Sequence, residues 1–328
     1  MFNGKNILIT GGTGSFGKEF LDFLIKNYKA KRIVIFSRDE AKHYELQKKY
    51  KNTNIRCFIG DVRDKERLLM AMNNIQIVIH SAAMKQVPLS EYNPIECIKT
   101  NINGAQNIIE ACIYNNVEKV IALSTDKACN PINLYGATKL ASDKLFVSAN
   151  NLAGKKNTKF SVVRYGNVSG SKGSIIPVIQ NILKKPNVPI ELTHPEMTRF
   201  WITLNEGVKF VAKSLSIMKG GEIFIPKLNS YKVIDLIKIF GGQRKIIQTG
   251  IRPGEKLHEY LFSHDEYQNV LEYNKYYLIV PQIQFSGKKI KFIKSKMTKL
   301  IKGYSSGDNK FLLNREKLLL LLKKNNYV

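Results

Sequence analysis

The apolar run Asn6-Ile7-Leu8-Ile9-Thr10 passes straight into Gly11-Gly12-Thr13-Gly14-Ser15-Phe16-Gly17, after which Glu19, Phe20, Leu21, Phe23 and Leu24 repeat with helical spacing. A buried strand that opens through a glycine loop into a helix restricts the chain to an open α/β sheet with a phosphate-binding turn. Glycines at 11, 14 and 17 allow the tight turn, the approach of backbone to a pyrophosphate, and close packing of helix on strand. The helix N-terminus then offers amide donors to the phosphates. Thr13, Ser15 and Phe16 are the loop side chains expected to line that site.

The second apolar run, Arg32 to Phe36, ends in Ser37-Arg38, about twenty residues beyond the glycines. A carboxylate at this place holds the ribose hydroxyls of NAD, whereas Ser37 and Arg38, helped by Lys42, suit the extra phosphate of NADP. Asp39 leaves NAD open, and NADP is preferred on the local chemistry. Runs at 55–59 and 75–79 lead to Gly60-Asp61-Val62 and to His80-Ser81-Ala82-Ala83-Met84-Lys85. Both motifs fall at C-terminal strand ends, where open α/β sheets bind ligands, and so place Asp61, Val62, Ala82 and Lys85 near the cofactor. His80 shows no visible partner in the sequence and reads as a packed strand-end residue. Thr100-Asn101 begins or interrupts an amphipathic helix running to Tyr114, with Asn101 either holding a water, bracing a backbone kink near Lys139, or simply solvated.

This alternation predicts a doubly wound parallel sheet of the Rossmann type. Residues 1–170 are expected to form the dinucleotide-binding domain, with later segments returning to it. Residues 171–328 are expected to form mainly a smaller α+β lid over the substrate, and a C-terminal tail. The Leu318 to Leu322 run is too short to span a bilayer and is expected to dock on that lid.

The chemistry is concentrated after the apolar run Val120 to Leu123. Ser124-Thr125-Asp126-Lys127 and Tyr135-Gly136-Ala137-Thr138-Lys139 bring an alcohol, a carboxylate, two amines and a phenol together. Tyr135 and Lys139 lie four residues apart, on one face of the expected helix. The Lys139 ammonium is expected to lower the phenol's pKa so that a phenolate takes a proton from a sugar hydroxyl. A half-buried Tyr beside a solvated Lys is the bland alternative. Cys57, Cys97, Cys112 and Cys129 have no zinc spacing, so no metal is expected and the thiols are read as free.

Charge raises a separate question. Lys and Arg number 52 against 26 acidic residues, a net charge of +26. That balance invites a polyanionic partner, but the lysines are spread along the chain with no single basic helix, so no nucleic acid is expected. A nucleotide substrate needs only a local basic pocket. In segment 284–302, seven lysines from Lys288 to Lys302 alternate with Ile290, Phe292, Ile293, Met297, Leu300 and Ile301. A solvated face on a variable insertion is preferred there over an interfacial helix on a membrane surface. No apolar run reaches the roughly 20 residues of a membrane span, and the first strand does not read as a signal peptide, so a cytoplasmic protein is expected.

Taken together, the glycine loop, Asp61-Val62, Asn101 and the Tyr135/Lys139 pair resemble an extended short-chain dehydrogenase/reductase. Ser124 to Pro131, Leu134 to Lys139, Arg164 to Val168, Met197 to Trp201 and Arg252 to Glu259 narrow the likeness to the short, soluble, inverting UDP-N-acetylglucosamine 4,6-dehydratases that begin pseudaminic acid biosynthesis. The likeness runs from about residue 3 to 280 and returns at Tyr304 to Asn309; segment 284–302 departs from it. In that superfamily, retaining dehydratases carry Thr-Asp-Glu where this chain has Thr125-Asp126-Lys127, and 4-epimerases lack the Asp-Lys pair. Larger membrane-anchored relatives keep the pair but often have Met in place of Tyr135.

The resemblance implies a tightly bound NADP, recycled within each turnover, and a homo-oligomer. It implies Tyr135 and Lys139 at the C4 hydroxyl, Thr125 on the 4-oxygen, Lys127 as the C5 base with its amine neutral, and Asp126 as the acid for the 6-hydroxyl. It adds Thr100 and Asn101 to the cofactor set, and Lys85, Asn167, Thr193, Arg252 and Glu255 to the substrate set, with Arg199 a weaker candidate and Arg164 as readily structural. A retaining dehydratase or 4-epimerase on the same sugar nucleotide, a non-catalytic NADP sensor, and an anionic-surface binder stand as alternatives.

Overall fold

The computed structural model describes residues 1–51, 54–154, 156–171, 173–283 and 296–328. Six strands, β1 (Asn6–Thr10), β2 (Arg32–Ser37), β3 (Ile55–Ile59), β4 (Ile77–His80), β5 (Lys119–Thr125) and β6 (Lys159–Tyr165), run parallel in the spatial order β3-β2-β1-β4-β5-β6. All of β1 and β4 is buried, which is why those strands read as unbroken apolar runs instead of alternating ones. The order reverses between β1 and β4, and at such a switch point the loops leaving two neighbouring strands diverge to open a crevice. The glycine loop after β1 and residues 81–86 after β4 flank it.

Helix α1 (Ser15–Asn27) lays Phe20, Leu21 and Leu24 on the sheet. Strand Ile223–Pro226 adds parallel to β6, and Tyr276–Ile279, Val270–Glu272 and Lys296–Met297 continue the sheet antiparallel, to ten strands among the described residues. The sheet therefore draws strands from well beyond residue 170. Lys296–Met297, the start of the described end of the basic segment, is an edge strand, while 284–295 lie outside the described residues.

A second sheet joins Val168–Ser169, Thr198–Thr203, Asn229–Lys232 and Leu312–Leu313. It has its own core of Ile176, Ile179, Trp201, Tyr231, Leu236 and Ile237, onto which the helix Arg315–Lys324 docks Leu318 and Leu322. Among the described residues, no helix is long and apolar enough to cross a membrane.

Candidate active site

The glycine loop leaves space that a side chain would fill. Gly11 sits at φ +63°, and a Cβ there would meet the Ala82 backbone at 3.0 Å. A Cβ on Gly17 would lie 2.4 Å from Gly12 Cα, so the turn closes tightly on the first turn of α1. Gly14 caps α1 without a side-chain hydrogen bond, and Ser15 and Phe16 open the helix. Backbone of this shape at a helix N-terminus fits the pyrophosphate of a nicotinamide dinucleotide.

At the end of β2, Thr13 Oγ1 lies 2.9 Å from Ser37 Oγ, which lies 2.9 Å from His43 Nε2. His43 is buried on helix α2 (Glu40–Lys49), and burial pushes its pKa down; the sequence alone marked it only as one polar residue in a polar helix. Arg38 reaches Asp61 at 3.6 Å, and Arg63 holds the same carboxylate at 2.7 Å. Lys42 sits in the first turn of α2, beside the Asp39 cap. Its amide donates to Asp39 Oδ1 at 3.0 Å and its ammonium is paired with the same carboxylate, because Asp39 is the N-cap of α2.

Val62 is buried against Gly104, where a Cβ would meet its Cγ2 at 2.8 Å. The expected helix through 102–114 starts instead with a π turn, Lys99–Asn103, that buries Thr100 and Asn101, and continues as Gly104–Tyr114. Asn101 braces the chain there. Its Oδ1 accepts from Met84 N at 2.9 Å and its Nδ2 donates to Met84 O and to Thr138 Oγ1, both at 3.0 Å, tying the loop after β4 to the helix Leu134–Leu152. Lys85 follows Met84 in that loop. His80 does have a partner: its Nδ1 lies 2.8 Å from Thr10 Oγ1, and its ring packs on Phe146.

Strand β5 ends in the reactive cluster. Lys127 Nζ contacts three acceptors: Asp126 Oδ1 at 3.1 Å, Glu259 Oε1 at 3.2 Å and Asn167 Oδ1 at 3.0 Å. Thr125 Oγ1 donates to Asp126 Oδ1 at 3.0 Å, and Asp126 is fully buried. Burial pushes the Asp126 carboxyl up against the pull of Lys127. The expected neutral Lys127 is not what this arrangement produces. Burial works to lower its pKa, but Asp126 and Glu259 together outweigh burial and raise it.

Tyr135 also departs from expectation. Burial pushes its phenol up to about 12, and the Lys127 charge pulls the other way. Lys139 is buried, its pKa is pushed down by that burial, and Asp143 counters the shift.

The remaining substrate candidates divide. Asn167 joins the cluster directly through Lys127. Glu255 pairs with the buried Arg199 at 3.2 Å, and Arg199 Nε stands 3.9 Å from Glu259. Arg252, expected on the diphosphate, pairs with Glu191 at 3.1 Å with both side chains largely exposed. Thr193 is buried with its hydroxyl on Met197 Sδ at 3.2 Å. Arg164 is structural: fully buried, it spans Asp143 at 3.2 Å, Glu266 at 3.0 Å and the Leu261 carbonyl at 3.1 Å. Glu259 received no role from the sequence, although it ends the Arg252 to Glu259 motif.

The profile of a family described as polysaccharide biosynthesis protein matches residues 7–281. A UDP-N-acetylglucosamine 4,6-dehydratase (inverting) of Campylobacter jejuni is 54% identical over 325 residues, covering 98% of this chain and 97% of that protein. A UDP-glucose 4-epimerase of Rickettsia bellii is 39% identical, covering 100% of this chain and 98% of that relative. Among solved structures, Pen from Bacillus thuringiensis superposes with a TM-score of 0.93 at 38% identity, with 100% of both chains covered. The dTDP-glucose 4,6-dehydratase DesIV of Streptomyces venezuelae, solved with NAD bound, shares the fold at a TM-score of 0.68 and 20% identity, over 77% of this chain and 86% of its own. With its glycine cradle at the switch point, its Asp126-Lys127 and Tyr135 cluster, and relatives matched from end to end, the chain belongs to the polysaccharide biosynthesis protein family, on an extended short-chain dehydrogenase/reductase fold and akin to the inverting UDP-N-acetylglucosamine 4,6-dehydratases.

Proposed function

We propose that the protein is an NADP-dependent UDP-N-acetylglucosamine 4,6-dehydratase that inverts C5, acting at the first step of pseudaminic acid biosynthesis. The product is a 4-keto, 6-deoxy sugar nucleotide of L-configuration. The observation that supports this most is the contact of Asp126 with Lys127 at 3.1 Å, in one cluster with Thr125 and Tyr135 at the end of β5. An oxidation at C4 needs only the phenol; an elimination across C5 and C6 needs an acid and a base side by side as well. A cytoplasmic homo-oligomer is part of the same reading, with residues 1–170 holding the dinucleotide and 171–328 mainly closing over the sugar nucleotide.

Gly11, Gly14, Gly17, Thr13, Ser37 and Arg38 would hold the dinucleotide. When bound, the nicotinamide accepts hydride from C4 and gives it back to C6. Tyr135, once ionised to a phenolate beside the Lys127 charge, receives the 4-hydroxyl proton, and Thr125 orients the 4-oxygen. The 4-ketone acidifies the C5 hydrogen, which Lys127 removes as a free amine. Asp126, whose carboxyl burial pushes up, takes the Lys127 proton across 3.1 Å and donates to the 6-hydroxyl, which leaves as water. A proton then re-enters C5 on the opposite face. Asn167 and Glu255 would contact the sugar nucleotide.

Incubation with UDP-N-acetylglucosamine in heavy water, followed by proton NMR, tests this. The expected product is a 4-keto, 6-deoxy sugar with deuterium at C5 and L-configuration. The resemblance to 4-epimerases supports one rival reading, and a C4 epimer as sole product would sink the dehydratase.

A further inference from the structure

Between Lys127 and Tyr135, residues 129–133 lie in no helix or strand. Asn130 there sits at φ +46°, in the left-handed region. Yet one sugar must meet both side chains, since Tyr135 takes the proton of the C4 hydroxyl and Lys127 takes the hydrogen of the adjacent C5. Adjacent carbons leave little tolerance, and a misplacement of about 1 Å can cost on the order of a hundredfold in rate. This irregular turn has to be held in register.

A segment from elsewhere in the chain lies against it. Residues 254–259 run antiparallel to 127–133 and touch it three times. Asn133 Nδ2 donates to the Gly254 carbonyl at 2.7 Å, Lys256 Nζ donates to the Cys129 carbonyl at 2.6 Å, and Glu259 Oε1 stands 3.2 Å from Lys127 Nζ. The approach is close: Gly254 sits at φ +76°, and a Cβ there would lie 3.0 Å from Asn133 Cβ. The far side of the segment is backed by the lid. Its Leu257 carbonyl accepts from Thr198 N at 3.1 Å, Glu255 pairs with Arg199 at 3.2 Å, and Glu259 N donates to Ser306 Oγ at 2.9 Å.

We infer that residues 254–259 form a strap that fixes the spacing of the two proton-transfer groups, and that Asn133 is the positioning residue that couples this strap to Tyr135. This inference rests on the dehydratase reading above. Asn133 is buried and uses both ends of its amide. Its Oδ1 accepts from Gly136 N at 2.7 Å, which caps the helix Leu134–Leu152, while its Nδ2 holds the strap. One side chain therefore sets both where the helix of Tyr135 begins and where the lid rests on it. Lys256 grips the middle of the turn, and Glu259 grips its Lys127 end.

Serine caps a helix about as well as asparagine, but its hydroxyl is too short to reach the Gly254 carbonyl while capping. Asn133→Ser should therefore keep the wild-type Tm and loosen the strap. With UDP-N-acetylglucosamine and NADP, its kcat is expected to fall about tenfold or more, and the dehydrated product formed per 4-ketone trapped by borodeuteride should fall as well. Loss of a cap alone would move Tm and leave that ratio unchanged. Backbone amide exchange over 252–259 should quicken. Lys256→Met should act in the same way, and the double variant should be about as slow as the slower single one, because either loss frees the same strap. Wild-type kcat in folded Asn133→Ser overturns the inference, and so do single losses that simply multiply in the double variant. Should the Ser variant not fold, a folded Lys256→Met variant of wild-type turnover overturns it. Wild-type protein that makes no 4-keto product sinks the dehydratase reading; amide exchange then decides the strap by itself, and unchanged exchange over 252–259 in Asn133→Ser overturns it.

Discussion

Gly136 packs against the Lys127 carbonyl so closely that a Cβ at position 136 would lie 2.3 Å from that oxygen. This contact brings the helix carrying Tyr135 and Lys139 onto the turn carrying Asp126 and Lys127. It joins the two halves of the reactive cluster, since backbone cannot move aside as the end of a flexible side chain can. Gly136→Ala is therefore expected to cost about 1–3 kcal/mol of stability through overpacking. It should also lower kcat by displacing Tyr135 from the turn that carries Asp126 and Lys127. Thermal unfolding and steady-state turnover of the variant check both outcomes, and an unchanged Tm would show that the contact relaxes freely.

Removal of Lys127 should be far more damaging to turnover than to folding. Lys127→Ala takes away the group proposed to remove the C5 proton, and general-base contributions are typically about 10²–10⁴-fold. The expected result is loss of dehydrated product with the C4 ketone still trappable. Product NMR and reductive trapping of the same reaction read the two steps separately.

Arg164 should be the reverse case. It lies fully buried between Asp143 and Glu266, and a carboxylate stripped of its buried partner is costly. Arg164→Met is expected to destabilise the protein by about 3–5 kcal/mol. Denaturant unfolding measures this, and a variant of wild-type stability would contradict the structural role.

His80 links stability to pH. Burial, aided by the Lys139 charge, lowers its pKa to about 3, whereas an unfolded histidine titrates near 6.5. Between those values the unfolded chain binds a proton that the folded protein refuses, so this contribution is complete above 6.5 and is lost as pH falls toward 3. One such group gives a slope approaching ~1.4 kcal/mol per pH unit. His80→Gln should flatten the acid limb of a stability profile across that window, and an identical slope in the variant would refute the assignment.

Cofactor choice is open to a direct measurement. If Arg38 serves the extra phosphate of NADP, its removal deletes a charge-assisted bond of about 1.5–3 kcal/mol. Arg38→Ala should weaken NADP binding by roughly tenfold or more and leave NAD binding unchanged, as read by titration calorimetry. Equal effects on both dinucleotides would place Arg38 with Asp61 as a purely structural pair.

The order of the elements and the nature of the dinucleotide site were legible in the sequence because they depend on local physics. A parallel strand buried on both faces must be apolar throughout, and a turn that touches its own helix must be glycine, so residues 6–17 announced both. The Asp126-Lys127 and Tyr135/Lys139 pairs were visible for a related reason, since four-residue spacing on a helix and adjacency at a strand end are properties of the chain itself. Tertiary structure alone decided their charges. Lys127 was expected to be neutral, but that expectation omitted Glu259, which lies 132 positions further along and reaches Lys127 only because the strand Thr198–Thr203 and Ser306 hold its segment beside β5. Likewise spacing put Tyr135 and Lys139 on one helix face, but it could not show that the Lys127 charge also acts on the phenol or that Asp143 acts on Lys139. Sequence spacing identifies which groups share a surface, whereas a pKa is the sum of burial and every charge within a few ångströms, and most of those charges come from elsewhere in the chain.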